Sequence, residues 1–285
     1  MSKSDLQNRR YLLGNPYAHL EQLEAHSEAI RASRRRLEDP YAYLDGDGHL
    51  SALEESRSPR LVSNSYERIE QIAIELQRRL WSNRRELWQD ESRSPIEVLD
   101  VIKAAKLIGF QMEFVGSLGV FFDQNEQVSV AGLIDRSKRS ILISGDSSPP
   151  TRNFTAAHEL GHALLHPHLE VMHRDRPLSG VLAGRDRVEL EADKFATYFL
   201  MPEKLVRAEF AGRFLTNRFV INEDTAFALS VPLERSLKEL GAKRKLARHL
   251  SSATHYNGQR FYSMAEHFNV TVESMAIRLE ELQLI

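Results

Sequence analysis

The sequence predicts an α+β fold in which a small antiparallel sheet is followed by a buried helix, with further helices on both sides. Short segments between residues 110 and 143 alternate or run apolar, which is typical of strands. They are Phe110–Phe114, Val120–Phe122, Val128–Ile134 and Ile141–Ile143. Two prolines then separate this region from a segment that is apolar on one face, as a buried helix is. A sheet followed by helices in this order favours an α+β core.

The predicted buried helix carries two histidines four residues apart, His158 and His162, with Glu159 directly after the first. Positions i and i+4 lie on one helix face, so both imidazoles can reach the same ion. Apolar Phe154 and Leu165 lie near that face and favour its burial. The pattern is the H-E-x-x-H of zinc peptidases. A charged surface helix with two ordinary histidines is the alternative.

Gly161 lies between the two histidines, where glycine costs helix stability relative to alanine. A close approach of another chain segment, or of a ligand, would explain its presence. We expect Pro167 to end this helix.

A second acidic cluster supplies a candidate third ligand, because catalytic zinc usually has three protein ligands and one open position. At about 100° per residue, Glu189 and Asp193 fall on the apolar face of the following helix, whereas Glu191 falls almost opposite. The residues that define this apolar face are Ala192, Phe195, Ala196, Phe199 and Leu200. We therefore predict that Glu189 binds the metal, that Asp193 orients a metal-bound histidine, and that Glu191 is solvated. Charge that complements the helix dipole is the alternative for these acids.

The two segments Phe-Thr-Ala-Ala-His-Glu-Leu-Gly-His-Ala-Leu-Leu-His (154–166) and Glu-x-Glu-Ala-Asp-x-Phe-Ala-x-x-Phe-Leu-Met-Pro (189–202) resemble the ImmA/IrrE family of metallopeptidases. Looser similarity extends the resemblance over roughly residues 64–285 and leaves the first sixty unexplained. The resemblance implies a zincin-like core in a soluble bacterial or phage protein, and substrates that are helix-turn-helix repressors. It places the metal ligands on His158, His162 and Glu189 and the catalytic glutamate on Glu159.

Composition excludes several other classes of protein. The chain has 285 residues, 42% hydrophobic and 27% charged, which is ordinary for a globular protein. A net charge of -2 argues against a wholly basic nucleic-acid binder. The absence of cysteine excludes disulfides, thiol catalysis and cysteine-rich zinc sites. The first residues lack the apolar stretch of a signal peptide, so we expect a cytoplasmic protein with no membrane association.

The sequence divides into three predicted regions: a helical N-terminal extension (1–62), a zincin-like metallopeptidase domain (63–215) and a C-terminal helical region (216–285). The extension contains two similar hexapeptides, Asn15–Leu20 and Asp39–Leu44, each with the signals of a helix start. Surface helices packed on the core explain it, and a docking arm or a flap over the active site is the alternative.

Two capping boxes predict helices at the start of the metallopeptidase domain. The first, Asn64 with Glu67, opens a helix that runs through Trp81. The second, Ser94 with Glu97, opens a helix that ends at Gly109.

Residues 167–188 form a long predicted loop, and such loops are often functional. The histidines at 166, 168 and 173 lie close in sequence to the metal-binding helix, and we select His173 as the candidate that stabilises an oxyanion.

The C-terminal segment, Phe261–Phe268 followed by Thr271–Leu282, resembles a helix-turn-helix. Its second helix carries Glu273, Glu280 and Glu281, and a DNA-reading helix should bring positive charge to phosphates. We therefore expect this region to pack or to contact a protein, not to bind DNA directly.

The leading functional hypothesis is a zinc-dependent endopeptidase, with Mn²⁺ or Co²⁺ as alternative metals for the same ligands. Its substrate would be a small helix-turn-helix repressor or antitoxin, cut in a stress response, in mobile-element control or in phage defence. One alternative is a metal-containing regulatory or toxin-like module that acts by partner contact without proteolysis. A second is a DNA-binding regulator that uses the C-terminal segment.

Overall fold

The computed structural model describes residues 63–89, 93–123, 126–168, 173–175, 187–230, 240 and 242–285. The N-terminal extension with its two hexapeptides, and most of the 167–188 loop, lie outside these residues. The predictions made for them therefore stay predictions, as do the domain boundaries at 62/63 and 215/216.

Among the described residues, three helices precede the sheet: α1 (Ser63–Ser82), α2 (Arg84–Leu87) and α3 (Val101–Leu107). The structure confirms the predicted first helix, which ends one residue after Trp81.

The predicted second helix is shorter than expected. Ser94 and Glu97 do exchange the two hydrogen bonds of a capping box, at 2.7 and 3.3 Å, but they close only a turn. The helix begins at Val101 because the side chain of Asp100 caps it, accepting from the amides of residues 102 and 103. Gly109 follows the helix with φ of 80°, a conformation that favours glycine.

Strands of the first part of the chain that the structure describes are β1 (Gln111–Val115), β2 (Val120–Asp123), β3 (Glu126–Ser129), β4 (Gly132–Asp135), β5 (Ser140–Ser144) and β6 (His173–Asp175). Four of them form one sheet in the order β1-β5-β4-β6, and β2 pairs with β3 in a separate antiparallel hairpin. The single strand predicted over Val128–Ile134 is in fact two strands, β3 and β4.

The expectation of an antiparallel sheet is wrong for one of its three pairings. Strand β1 pairs with β5 in parallel, with Met112 opposite Ile141, whereas β4 pairs antiparallel with both β5 and β6. The β2–β3 hairpin and β4 intervene between β1 and β5 along the chain, so β5 enters the sheet in the same direction as β1. The sheet is therefore mixed, within an α+β arrangement.

Helices α4 (Pro149–Leu165) and α5 (Arg187–Leu200) carry the predicted site. The Ser148 side chain caps α4 by accepting from the Thr151 amide, and a proline occupies the first helical position. Residues 154–162 of α4 are all buried, between the sheet on one side and α5 on the other. The five apolar residues predicted to form the buried face of α5 are also all buried.

The two helices approach each other closely at Gly161. A Cβ atom at this position would lie 3.2 Å from the Cα and the carbonyl oxygen of Ala192 and 3.2 Å from the Cβ of Phe195. The prediction that another chain segment approaches Gly161 is therefore confirmed, and that segment is α5.

The rest of the chain adds α6 (Glu203–Phe214), α7 (Glu223–Ala228), α8 (Lys243–Ser252), β7 (His255–Tyr256), β8 (Gln259–Arg260), α9 (Met264–His267) and α10 (Val272–Glu281). Phe214 contacts the rings of Phe219, Tyr256 and Phe261, with centroids 5.8, 5.5 and 6.2 Å away. None of the helices in the described ranges is long and apolar enough to cross a membrane.

The acidic residues of α10 face α8 and form ion pairs with it. The guanidinium of Arg244 bonds Glu280 through two nitrogens at 2.8 Å and bonds Glu273 at 2.7 Å, while Arg248 bonds Glu273 at 2.5 Å. These hydrogen bonds hold the pKa of both carboxyl groups below the ordinary value. The contacts support packing as the role of this helix and place two of the nearby basic residues against it.

We predict opposite effects for two glycine-to-alanine substitutions in helices. Gly212→Ala in α6 meets nothing within 4 Å and should stabilise the protein by up to about 1 kcal/mol through helix propensity. In Gly161→Ala the added methyl group presses against the backbone of α5, so we expect the free energy of unfolding of the protein to fall by about 1–3 kcal/mol. Urea unfolding of the two variants measures the difference, and equal stabilisation by both would contradict the close approach.

Candidate metal centre

Three side chains from α4 and α5 bring their ligand atoms together at the contact between the helices. The Nε2 atoms of His158 and His162 are 2.8 Å apart. The carboxylate of Glu189 lies 3.3 Å from the first and 3.6 Å from the second. The histidine side chains are only 1% exposed, and Glu189 is 20% exposed. The structure thus brings together the three residues that were predicted as ligands, in a group that could hold a metal ion.

Asp193 lies one turn after Glu189 and contacts the other side of the first histidine. Its Oδ1 is 2.8 Å from Nδ1 of His158. A carboxylate accepts a hydrogen bond from Nδ1–H, which leaves the lone pair of Nε2 directed at Glu189. The structure therefore places Asp193 where the sequence predicted, behind the ring that it would orient.

His162 has a different partner, which sequence reasoning missed. Its Nδ1 lies 3.1 Å from Nδ1 of His166, whose Nε2 lies 3.2 Å from Oε2 of Glu191. The other oxygen of Glu191 accepts from Nε of Arg187 at 2.8 Å.

The prediction that Glu191 is solvated is therefore wrong, and its side chain is only 18% exposed. It does point away from the apolar face of its own helix, but His166 extends from the end of α4 to meet it. Burial acts to raise the pKa of Glu191, yet hydrogen bonds from Arg187 and His166 outweigh burial and lower that pKa overall. The four-residue spacing between His162 and His166 is the signal that could have indicated this contact.

The donor set fits a divalent metal ion. With both Nδ1 atoms directed away from the centre, the two Nε2 lone pairs and the carboxylate of Glu189 converge as three acceptors. Converging acceptors in a buried place require a cation or protons. Two imidazole nitrogens and one carboxylate oxygen are a set that zinc, manganese and cobalt all accept.

Glu159 is fully buried beside the two histidines and faces the first residue of β4. A Cβ atom on Gly132 would lie 2.5 Å from Oε1 of Glu159 and 2.8 Å from its Cγ. Glycine in a strand often marks a close approach of this kind. Gly132 therefore provides the space that the Glu159 carboxylate occupies, a role that sequence reasoning did not identify.

Arg136 also supports the site, in a way that the sequence does not indicate. Its guanidinium donates to the carbonyl oxygens at the end of α4, those of His162, of Ala163 at 3.3 Å and of His166 at 2.8 Å. The carbonyl of His162 also accepts from the amide of His166 at 3.2 Å, and a cation at this end of the helix complements the helix dipole. Arg136 thus fixes the end of α4 from the turn after β4, a contact that no local pattern indicates.

The structure describes less about the other two candidate histidines, His168 and His173. The backbone of His173 lies in β6 opposite Ile134, and its side chain is outside the described part of the structure. His168 is exposed. The oxyanion role predicted for His173 therefore stays a prediction.

Residues 119–218, which include α4 and α5, match the family Peptidase M78, described as the IrrE N-terminal-like domain. This part of the chain is similar to the ImmA/IrrE family. The family is one of metallopeptidases, which implies a metal and peptidase chemistry in general. The resemblance noted from the motifs is thereby confirmed.

A relative from a bacteriophage supports the same assignment. An uncharacterised immunity region protein of Bacillus phage phi105 is 32% identical to this chain over 108 residues. The aligned region covers 37% of this chain and 62% of the phage protein, so the match spans less than two thirds of that relative.

We predict that the chain binds one divalent ion and that Glu189 is required for it. Glu189→Ala should lose stoichiometric metal, because a third ligand is removed. Glu203→Ala is the matched control, since Glu203 also lies in the first turn of its helix. Both variants lose a charge that complements a helix dipole, about 0.3–1 kcal/mol of stability each. Metal content after dialysis measures the difference, and full metal occupancy in Glu189→Ala would contradict the assignment.

Proposed function

We propose that this protein is a zinc-dependent endopeptidase of the H-E-x-x-H class in which His158, His162 and Glu189 hold the metal. The observation that carries the proposal is the convergence of these three side chains, with the carboxylate of Glu159 buried beside them. The match of residues 119–218 to a metallopeptidase family supports it.

A zinc ion held there would supply Lewis-acid chemistry, polarising the scissile carbonyl and making water more acidic. Glu159 acts as the general base that removes a proton from the attacking water. The new C–O bond forms first, so that the carbonyl oxygen becomes an oxyanion, and Glu159 then returns the proton to the leaving nitrogen as the peptide C–N bond breaks. Asp193 orients His158 through Nδ1, and His173 is the candidate that stabilises the oxyanion.

The proposed substrate is a small protein, a helix-turn-helix repressor or an antitoxin. The phage relative is an immunity region protein by name, which supports a role connected with repressor control. Cleavage of such a protein would act in a stress response, in mobile-element control or in phage defence. Direct DNA binding is a weaker proposal, because the acidic helix α10 pairs with the nearby arginines.

Replacing Glu159 separates catalysis from metal binding. We expect Glu159→Gln to keep the metal and to lose cleavage by at least about 100-fold, since a general base contributes 10²–10⁴. Metal analysis and intact-mass spectrometry of the substrate make the two measurements. Unchanged cleavage by this variant would refute the mechanism.

The substrate class can be tested without knowing its identity. Cells that produce the wild-type protein, or Glu159→Gln as the matched control, are compared by mass spectrometry of protein N-termini. We expect a new N-terminus within a DNA-binding repressor or antitoxin only in cells with the wild-type protein. A new N-terminus in another kind of protein would contradict the proposed substrate, and no new N-terminus would contradict the peptidase activity.

We expect Gly132→Ala to displace the Glu159 carboxylate without moving the three metal ligands. The added Cβ displaces the buried carboxylate, and a misplacement of about 1 Å can cost about 100-fold in rate. We expect cleavage to fall by about that factor while metal content stays unchanged. The control is Gly116→Ala, which meets nothing within 4 Å. Equal cleavage by the two variants would show that the contact does not position Glu159.

A further inference from the structure

The two histidines of the metal centre are supported in different ways. Behind His158 there is a carboxylate, that of Asp193, in direct contact. Behind His162 there is a second imidazole, and only after it a carboxylate. We propose that His166, Glu191 and Arg187 form a hydrogen-bonded relay that positions His162 for metal binding. This inference rests on the metal centre proposed above.

The direction of each hydrogen bond in the relay follows from the contact between Arg187 and Glu191, at the end of the relay furthest from the metal centre. An ionised carboxylate only accepts hydrogen bonds, and Glu191 already accepts from Arg187. The Nε2–H of His166 therefore donates to Glu191, which makes Nδ1 of His166 an acceptor in the neutral ring. Nδ1–H of His162 then donates to it. Nε2 of His162 is left with a lone pair toward Glu189, as a metal ligand requires.

The relay is held at the boundary between helix and loop. His166 is the C-cap of α4, with φ of -122° and ψ of 55°, so the helix itself does not fix its ring. Its side chain is 9% exposed and that of Glu191 is 18% exposed, whereas Arg187 is 72% exposed. Arg136 holds the carbonyl oxygens of both His162 and His166. The backbone and the ring of His166 are thus fixed by separate contacts.

A purely structural role is the competing explanation, since the same contacts join α4 to α5. The two explanations differ in whether the imidazole ring of His166 must hold its proton on one particular nitrogen. Structural tethering requires only that α4 and α5 stay together, whereas positioning requires one tautomer of His166 and a change in metal affinity when the relay is broken. The test therefore measures tautomer and affinity beside stability.

The experiment uses the full chain with zinc as the probe. Glu191→Ala breaks the relay, and Glu191→Gln keeps an oxygen acceptor of nearly the same shape. Glu203→Ala is the matched control, because Glu203 also forms an i,i+4 pair with an arginine, Arg207, at 2.6 Å on α6, with the two residues in the reverse order. Arg187→Ala is a milder second variant if Glu191→Ala fails to fold. Competition with a chelator gives the zinc dissociation constant, and long-range ¹H–¹⁵N spectra give the ring tautomers.

We expect Glu191→Ala to weaken zinc binding about 10- to 100-fold, the usual effect of losing a partner behind a ligand. Glu191→Gln should recover most of the affinity, and Glu203→Ala should bind like the wild type. His166 should carry its proton on Nε2 in the wild type and lose that single state in Glu191→Ala. Without metal, Glu191→Ala should unfold at a somewhat lower temperature than Glu203→Ala, because it also loses a contact between α4 and α5, but it should stay folded at the temperature of the zinc titration.

Two results would overturn the relay while leaving the metal centre intact. One is wild-type zinc affinity in Glu191→Ala, and the other is a proton on Nδ1 of His166 in the wild type. Failure of the wild type itself to bind a single zinc ion would instead overturn the metal centre, and the relay with it.

Discussion

The close approach of α4 and α5 is the constraint on which the candidate centre depends. His158 and His162 come from one helix and Glu189 from the other, so their distances depend on how near the two backbones come. Gly161 sets that distance, because a side chain there would meet the backbone of Ala192. The glycine weakens α4 as an isolated helix and is tolerated because α4 is buried between the sheet and α5.

The C-terminal ends of both helices are held by polar side chains from distant parts of the chain. Arg136 donates to the last carbonyls of α4. The amide of Gln77 in α1 donates to the carbonyls of residues 198 and 199 at the end of α5, at 2.8 and 3.0 Å, and Arg278 in α10 donates to that of Met201 at 3.1 Å. Buried carbonyls need such partners. Elements outside the family match therefore help to hold the helix that carries Glu189.

The sequence predicts those parts of the site that depend on local periodicity. His158 and His162 lie on one face because they are four residues apart, and Glu189 and Asp193 lie on the apolar face of α5 for the same reason. The same periodicity places Gly161 inside a buried helix, where glycine lowers helix stability, and so predicts a close contact at this position. A helical wheel identifies the faces of a single helix but not the partner of each face. In this structure the predicted faces of α4 and α5 pack against each other, so the predicted ligands come together.

The remaining features depend on contacts between distant segments, which periodicity does not contain. The roles of Gly132 and Arg136 depend on how β4 and the turn after it pack against α4. The prediction that Glu191 is solvated is wrong because periodicity shows only that Glu191 lies off the apolar face of α5. It does not show that His166, from the end of α4, contacts the Glu191 side chain. The parallel pairing of β1 with β5 depends on the order of strands in space.

The metal centre is tested most directly by anomalous X-ray diffraction, above and below the zinc absorption edge, from crystals of the zinc-loaded protein. We expect one anomalous peak per chain, within bonding distance of Nε2 of His158, Nε2 of His162 and the carboxylate of Glu189. The absence of a peak between these three side chains, or a peak held by other residues, would contradict the proposed metal centre.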